Sequence, residues 1–186
     1  GSLRISNIVA ELKKYIRSHE QEHKKPESIG DIIEHVVTIT GKQVNKMVKT
    51  FRVDMAEDLP PVFINAGKIE QVLINLYVNA WQAMPQGGHL TIKTENVRLP
   101  DAFCRRIGIQ AGDYVKISVR DSGEGMDRET LERIFEPFYT TKGLGRGTGL
   151  GLSLSYDIVK MHEGNLEVSS IPGQGTEFNI KLPIKK

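Results

Sequence analysis

The sequence predicts an α/β (α+β) two-layer sandwich, with one mixed sheet of about five strands covered on one face by about three helices. Two patterns alternate along the chain. In some stretches apolar and polar residues alternate strictly, as in strands, and in others apolar residues recur every three or four positions, as in helices. Internal repeats and low-complexity tracts are absent, which excludes solenoids and disordered tails. With 186 residues there is room for one domain and an appendage around a real core.

The elements follow in order. Leu3 to about Ser18 places Ile5, Ile8, Val9, Leu12, Tyr15 and Ile16 on one stripe of a charged helix. His19 to Lys25 is polar and Pro26 follows, which reads as a break or linker. The stripe needs a partner: it either docks on the domain behind it or is the tail of a dimerising helical hairpin, and both readings stay open. Ser28, with Asp31 three positions on, caps a helix whose Ile29, Ile32, Ile33, Val36 and Val37 face inward. Met47, Lys49, Phe51, Val53 and Met55 alternate with Val48, Thr50, Arg52 and Asp54, predicting a strand that Leu59-Pro60-Pro61 ends. Val62-Phe63-Ile64 suits a further short strand. Lys68 to Met84 is a long helix burying Ile69, Val72, Leu73, Leu76 and Ala80, stopped by Pro85-Gln86-Gly87-Gly88. His89 to Val97 is a strand, Leu99 to Asp113 a loop with a helical turn near Phe103, and Tyr114 to Asp121 another strand. Gly123 to Gly151 is glycine-dense, with one short helix near Arg128–Ile134. Gly149 to Glu163 is helical, and strands near Asn165–Ser169 and Glu177–Leu182 close the fold across Pro172-Gly173-Gln174-Gly175.

Composition excludes several classes. A net charge of +2 supplies no electrostatic case for nucleic acid or an anionic membrane. A lone cysteine, Cys104, rules out an intramolecular disulfide and suits a reducing compartment. No apolar run is long enough to span a bilayer. Gly1-Ser2 reads as a cloning remnant, so a cytoplasmic piece of a longer protein is expected, whose parent has room for a membrane anchor.

Three constellations carry chemistry. Asp121-Ser122-Gly123-Glu124-Gly125 ends a strand. Its carboxylate suits an exocyclic amine and its glycines a flat heterocycle, although an ordinary Asp-Ser-Gly turn looks the same. Gly143-Leu144-Gly145-Arg146-Gly147-Thr148-Gly149-Leu150-Gly151 runs straight into a helix, where free N–H groups and the positive dipole end meet phosphate. It is neither a P-loop nor a dinucleotide fingerprint, and a plain inter-helix loop is the alternative. Asn75 and Asn79 share a helix face. Two inward amides need partners, either as an internal hydrogen-bonded pair that anchors a loop or on a Mg²⁺ ion bridged to phosphates.

Taken in order, these pieces resemble the catalytic domain of sensor histidine kinases, in the GHKL superfamily shared with DNA gyrase and the heat-shock chaperone. The resemblance runs from about Ser28 to the end. Glu70 to Ala80 (Glu-Gln-Val-Leu-Ile-Asn-Leu-Tyr-Val-Asn-Ala) looks like the N box and Asp121 to Gly125 like the first glycine box. Phe135-Glu136-Pro137-Phe138-Tyr139-Thr140-Thr141-Lys142 looks like the F box. Gly147-Thr148-Gly149-Leu150-Gly151-Leu152 looks like the second glycine box and Gly173-Gln174-Gly175-Thr176 like the last. The implied fold is the Bergerat-type ATP-binding sandwich.

The resemblance implies ATP and Mg²⁺ as ligands, Asn79 on the metal and Asn75 beside the triphosphate. Asp121 would hold the adenine amine in a pocket shaped by Gly123 and Gly125, with Thr176 also at the nucleotide. Thr140 to Thr148 would be a mobile lid, in which Lys142 and Arg146 neutralise phosphate charge. Gly147, Thr148, Gly149, Leu150 and Gly151 would meet the phosphates at the helix start. Phe135 and Phe138 are expected to pack the lid's root. Hydrolytic relatives carry a glutamate base where this chain has Asn75, so phosphoryl transfer is expected over fast hydrolysis; Glu70 is expected to be a surface or capping residue. Gln82 stands where many members have a basic residue, a variant resembling the nitrogen-regulation type.

None of His19, His23, His35, His89 or His162 lies in the family's His-Glu-x-x-x-Pro acceptor context, so all five are expected to be surface or packing residues. Residues 1–25 would then be the remnant of a dimerisation helix and linker, and 26–186 the catalytic domain. The expected activity is transfer of the γ-phosphate to a histidine of a dimerisation domain outside this chain, with a response regulator downstream and a monomeric fragment. The alternatives are an ATP-binding regulatory module without kinase activity, an anti-sigma-type serine kinase and, least favoured, a gyrase-like ATPase.

Overall fold

The structure is a computed structural model that describes residues 23–141 and 148–184. Ser28 opens helix α1 (Ile29–Met47), its side chain accepting from the Asp31 N–H at 3.2 Å. Ile29, Ile32, Ile33, Val36, Thr40 and Val44 form its buried stripe. That stripe corrects the expectation that Met47 opens a strand. Val36, Thr40 and Val44 continue the four-residue spacing, and the Thr40 hydroxyl is satisfied by the Val36 carbonyl at 2.6 Å, so the helix runs on.

The sheet strands are β2 (Thr50–Asp54), β4 (His89–Leu99), β5 (Gly112–Asp121), β6 (Asn165–Ile171) and β7 (Gly175–Pro183). Their order is β2-β4-β5-β7-β6, with β2 parallel to β4 and the remaining pairs antiparallel. A separate ribbon pairs β1 (Lys25–Glu27) with β3 (Val62–Ile64). Lys25 and Pro26, read from sequence as linker, are therefore built into the domain, and the Lys24 ammonium donates to the Met161 carbonyl. The expected helix over 3–18 lies outside the described residues.

Helix α2 (Ala66–Gln82) starts earlier than its apolar spacing announces, because Asn65 caps it by accepting from the Lys68 N–H at 3.0 Å. Its Ile69, Val72, Leu73, Leu76 and Tyr77 pack with α1, with helix α5 (Gly151–Met161) and with Val115, Ile117 and Ile180 of the sheet. Glu70 is neither cap nor surface residue: its side chain is 12% exposed and receives His35 Nδ1 at 2.7 Å, tying α2 to α1. The two remaining helices are short, α3 (Asp101–Ile107) and α4 (Arg128–Arg133). Cys104 of α3, Leu99 and Tyr114 make a small second cluster, which strand alternation puts on the face opposite Val115 and Ile117.

His162, at the end of α5, is buried as a packing residue. Its Nδ1–H donates to the Ile158 carbonyl at 2.7 Å and its Nε2 accepts from the Asn65 N–H at 3.1 Å. Burial pushes its pKa down, so the neutral ring needed for both bonds is the favoured form.

Candidate functional site

One face of α2 organises the site. Asn75, Asn79 and Ala83 are four apart, so they line a single edge running to the helix end. At one end the Asn75 Nδ2 donates to the Gly151 carbonyl at 3.2 Å and to the Ser155 hydroxyl at 3.3 Å. Ser155 in turn donates to the Gly151 carbonyl at 2.8 Å, closing a three-membered network that locks the first turn of α5 against α2. At the other end the Ala83 carbonyl accepts from the Glu124 N–H at 3.0 Å. A Cβ on Gly123 would lie 2.5 Å from that carbonyl oxygen, so only glycine permits the approach. Asn79 sits between these two anchor points, half-buried.

Asp121 ends β5 on the helix-facing side of the sheet and is 6% exposed. Its Oδ1 accepts from the Gly123 N–H at 2.8 Å and from the Thr176 N–H at 3.3 Å. These bonds orient the carboxylate, and among the described residues no bond to Oδ2 is present. Burial raises the Asp121 pKa, and the two amide hydrogen bonds oppose the rise. Gly125 holds a positive φ of 67°, and a Cβ there would lie 2.1 Å from the Ile171 carbonyl oxygen. The turn after β5 is thus pressed onto the β6–β7 hairpin, where the Gly173 N–H donates to the Glu124 carbonyl at 2.6 Å.

The segment expected to form a lid is closed at its root by backbone. The Phe138 N–H donates to the Gly149 carbonyl at 2.9 Å, with both residues at positive φ (67° and 65°). The Phe135 ring lies against Tyr156 with centroids 5.1 Å apart, as expected of a root residue. Phe138 differs: its backbone pins the root while its side chain is 74% exposed. Lys142, Arg146 and Gly147 lie outside the described residues. Helix α5 then begins with Leu150 at its N-cap and no side chain capping it, as α3 does at Pro100, whereas Ser28, Asn65 and Asp127 cap α1, α2 and α4. The Leu150 N–H is met by the Thr148 hydroxyl at 3.4 Å, and a helix start without a side-chain cap is a place where an anion can be held.

Direct contacts therefore link Thr176, Asp121, Gly123, Ala83 and the α2 edge to Gly151, and bring in Gly125, Thr148, Gly149 and Leu150 through adjacent turns. Ala83 and Ser155 take part in these contacts without being singled out by the sequence. Of these, only Ser155, one helical turn beyond Gly151, left a spacing signal. No cluster of three or more His, Cys, Asp or Glu able to hold a metal ion exists among the described residues, nor a helix long and apolar enough to cross a membrane.

A sequence profile of the family described as histidine kinase-, DNA gyrase B-, and HSP90-like ATPase matches residues 64–186. The sensor kinase CckA of Brucella abortus (strain 2308) is 38% identical over 183 residues, which cover 97% of this chain and 19% of that protein. The chain thus spans about a fifth of that relative's length. The catalytic domain of histidine kinase ThkA, solved nucleotide-free, superposes with a TM-score of 0.70 at 30% identity, covering 87% of this chain and 95% of that one. Full-length ShkA, solved in complex with AMPPNP, gives a TM-score of 0.66 at 25% identity over 86% of this chain and 31% of that one.

Proposed function

This chain belongs to the family of histidine kinase-, DNA gyrase B-, and HSP90-like ATPases, and from that premise we propose that it is the ATP-binding catalytic domain of a sensor histidine kinase. It presents the γ-phosphate of Mg-ATP to a histidine on a dimerisation domain outside the described structure, and a response regulator receives the phosphate downstream. Residues 26–186 act as the catalytic unit together with Lys24 and Lys25, which the ribbon and the Met161 carbonyl tie to it, and the residues before them act as the end of the dimerisation helix and its linker. The single observation that carries this reading is Asp121. It is a buried carboxylate with one oxygen held by two backbone N–H groups and the other unengaged, at a strand end flanked by glycines that admit no side chain.

In this reading Asp121 Oδ2 accepts from the adenine amine, which has the donor that oxygen lacks. The triphosphate extends along the α2 edge toward the uncapped start of α5, where the N–H groups near Gly149 and Gly151 and the cations Lys142 and Arg146 offset its charge. The AMPPNP bound by the similar ShkA chain supports a nucleotide here. The residues fit Mg²⁺ brought in by the nucleotide more than a resident ion. The cluster of carboxylates that a resident ion needs is absent among the described residues, while Asn79 offers one neutral oxygen, and Mg²⁺ completes its shell from phosphate and water. When bound, the ion neutralises charge on the transferring group.

Asn75 cannot serve as a base toward water, and its amide is engaged with α5. It contributes by positioning, which agrees with transfer to a protein acceptor over hydrolysis. Gln82, where many members carry a cation, fits the nitrogen-regulation variety and shifts charge neutralisation onto the lid.

The test is calorimetric titration of Mg-ATP into the chain and into Asp121→Asn. The substituted amide puts a donor or a weaker acceptor at the amine, so affinity falls on the order of a hundredfold. Asp121 has a raised folded-state pKa, so its ionised form disfavours the folded state above that pKa. The variant's thermal midpoint at pH 7 is therefore unchanged or higher, which separates lost binding from lost folding. Phosphate transfer in trans to a supplied dimerisation domain then tests the kinase step. Absence of binding by the folded parent at millimolar nucleotide overturns the reading.

A further inference from the structure

Ser170 stands at a junction that the reading above does not use. It lies on β6 directly across from Thr176 of β7, and strand alternation puts both on the same helix-facing side as Asp121. Three groups converge on its hydroxyl. The Met126 N–H approaches at 2.8 Å, the Gly175 carbonyl at 2.9 Å and the Thr176 hydroxyl at 2.9 Å. A serine hydroxyl has one proton and two lone pairs. The Met126 N–H can only donate and the Gly175 carbonyl can only accept. One assignment alone satisfies all three contacts: Ser170 donates to Gly175 and accepts from both Met126 and Thr176.

The Thr176 proton is therefore held by Ser170, and the Thr176 oxygen keeps only lone pairs for any other partner. Asp121, whose Oδ1 accepts from the Thr176 N–H, likewise offers a lone-pair oxygen at Oδ2. This end of the candidate site then contains acceptors and no side-chain proton from either residue. A base bearing an exocyclic amine is served by such a wall. A base bearing an exocyclic oxygen there meets lone pairs against lone pairs, with no hydroxyl proton to relieve them.

We propose that Ser170 is a positioning residue that captures the Thr176 hydroxyl proton, and by doing so makes the base pocket select a 6-amino purine over a 6-oxo purine. The proposal rests on the nucleotide reading of the site and deepens it. Ser170 acts through Thr176, and simultaneously fixes the Gly125–Met126 turn by holding the Met126 N–H.

The experiment compares the affinities of Mg-ATP and of Mg-inosine triphosphate, whose base has an oxo group in place of the amine, by calorimetry. In Ser170→Ala the Thr176 proton is released and can turn toward the oxo group. The ATP-to-inosine-triphosphate affinity ratio falls about tenfold, the size expected of one partly desolvated hydrogen bond. Ser170→Thr, which keeps the hydroxyl, retains the parent ratio. Thr176→Val removes the proton together with the oxygen, so no hydroxyl proton can reach the oxo group and the ratio stays within about threefold of the parent. The Ser170→Ala/Thr176→Val double variant does likewise, having no hydroxyl to release.

A parent ratio retained in Ser170→Ala overturns the proposal. So does a ratio that collapses in Thr176→Val, which is read whether or not Ser170→Ala folds, because the selectivity would then reside in the Thr176 oxygen itself. A parent that binds both nucleotides equally overturns the proposal while leaving the nucleotide reading intact. A parent that binds neither overturns the nucleotide reading, and this one with it.

Discussion

The two ends of the candidate site are built by different means. At the Asp121 end, backbone touches backbone: side chains added at Gly123, Gly125 and Gly175 would meet carbonyl oxygens at 2.5, 2.1 and 2.0 Å. At the α5 end, side chains hold the elements together through the Asn75, Ser155 and Gly151 network, and a Cβ on Gly151 would sit at an ordinary 3.7 Å from Asn75. In the proposed reading a flat ring is recognised by shape at the first end, which suits strand ends and turns locked at van der Waals distance. In the same reading a flexible polyanion is recognised by N–H groups and charge at the second end, which suits a helix start held in place without a side-chain cap.

This contrast is easiest to break at its rigid end. Gly125→Ala combines an unfavourable left-handed backbone with a clash against the Ile171 carbonyl, at a cost on the order of 4 kcal/mol. Chemical denaturation should show that loss, with Mg-ATP binding abolished. A stability within 1 kcal/mol of the parent would mean the turn relaxes and the pocket is not shape-locked.

Asn75→Ala tests the side-chain network and is expected to be milder. The Ser155–Gly151 bond survives, so the loss is about 1–2 kcal/mol, or a few degrees in thermal midpoint. Because the start of α5 is then free to shift, nucleotide affinity should weaken more than stability alone accounts for. Unchanged affinity would make the network purely structural.

Gly151→Ala should have the smallest effect and the opposite sign. The position lies in a helix with room for a methyl group, so stability rises by about 0.5 kcal/mol. A thermal melt that drops instead would mean that the α5 start is as tightly locked as the turn after Asp121.

Much of this was legible in the chain. Every sheet strand except the first was placed within a few residues, because one-sided burial imposes a two-residue alternation that survives without any partner in view. The first strand was started too early because α1 keeps its apolar stripe through Thr40, a polar residue hidden by its own backbone hydrogen bond. The ribbon strand β1 was missed because Lys25-Pro26-Glu27 has no alternation, and it is a strand only because Val62–Ile64 lies beside it. At the site, Asp121, Asn75, Asn79 and the glycine boxes were visible as residue types in order. Ser170 was not, since a serine in a strand carries no signal of its own.

What the sequence by itself determined is the set of elements, their order along the chain and the chemical types available at their ends, because propensity, periodicity and capping are local properties. Only the tertiary structure decided who meets whom. Asn75 meets Ser155 across 80 residues and Thr176 meets Asp121 across 55, because the sheet order sets β7 beside β5 and the core seats α5 against α2. Whether a carboxylate oxygen is occupied or open, and which hydroxyl holds which proton, depends on those meetings. Such contacts are set by the free energy of the whole packed core, which no window of sequence contains.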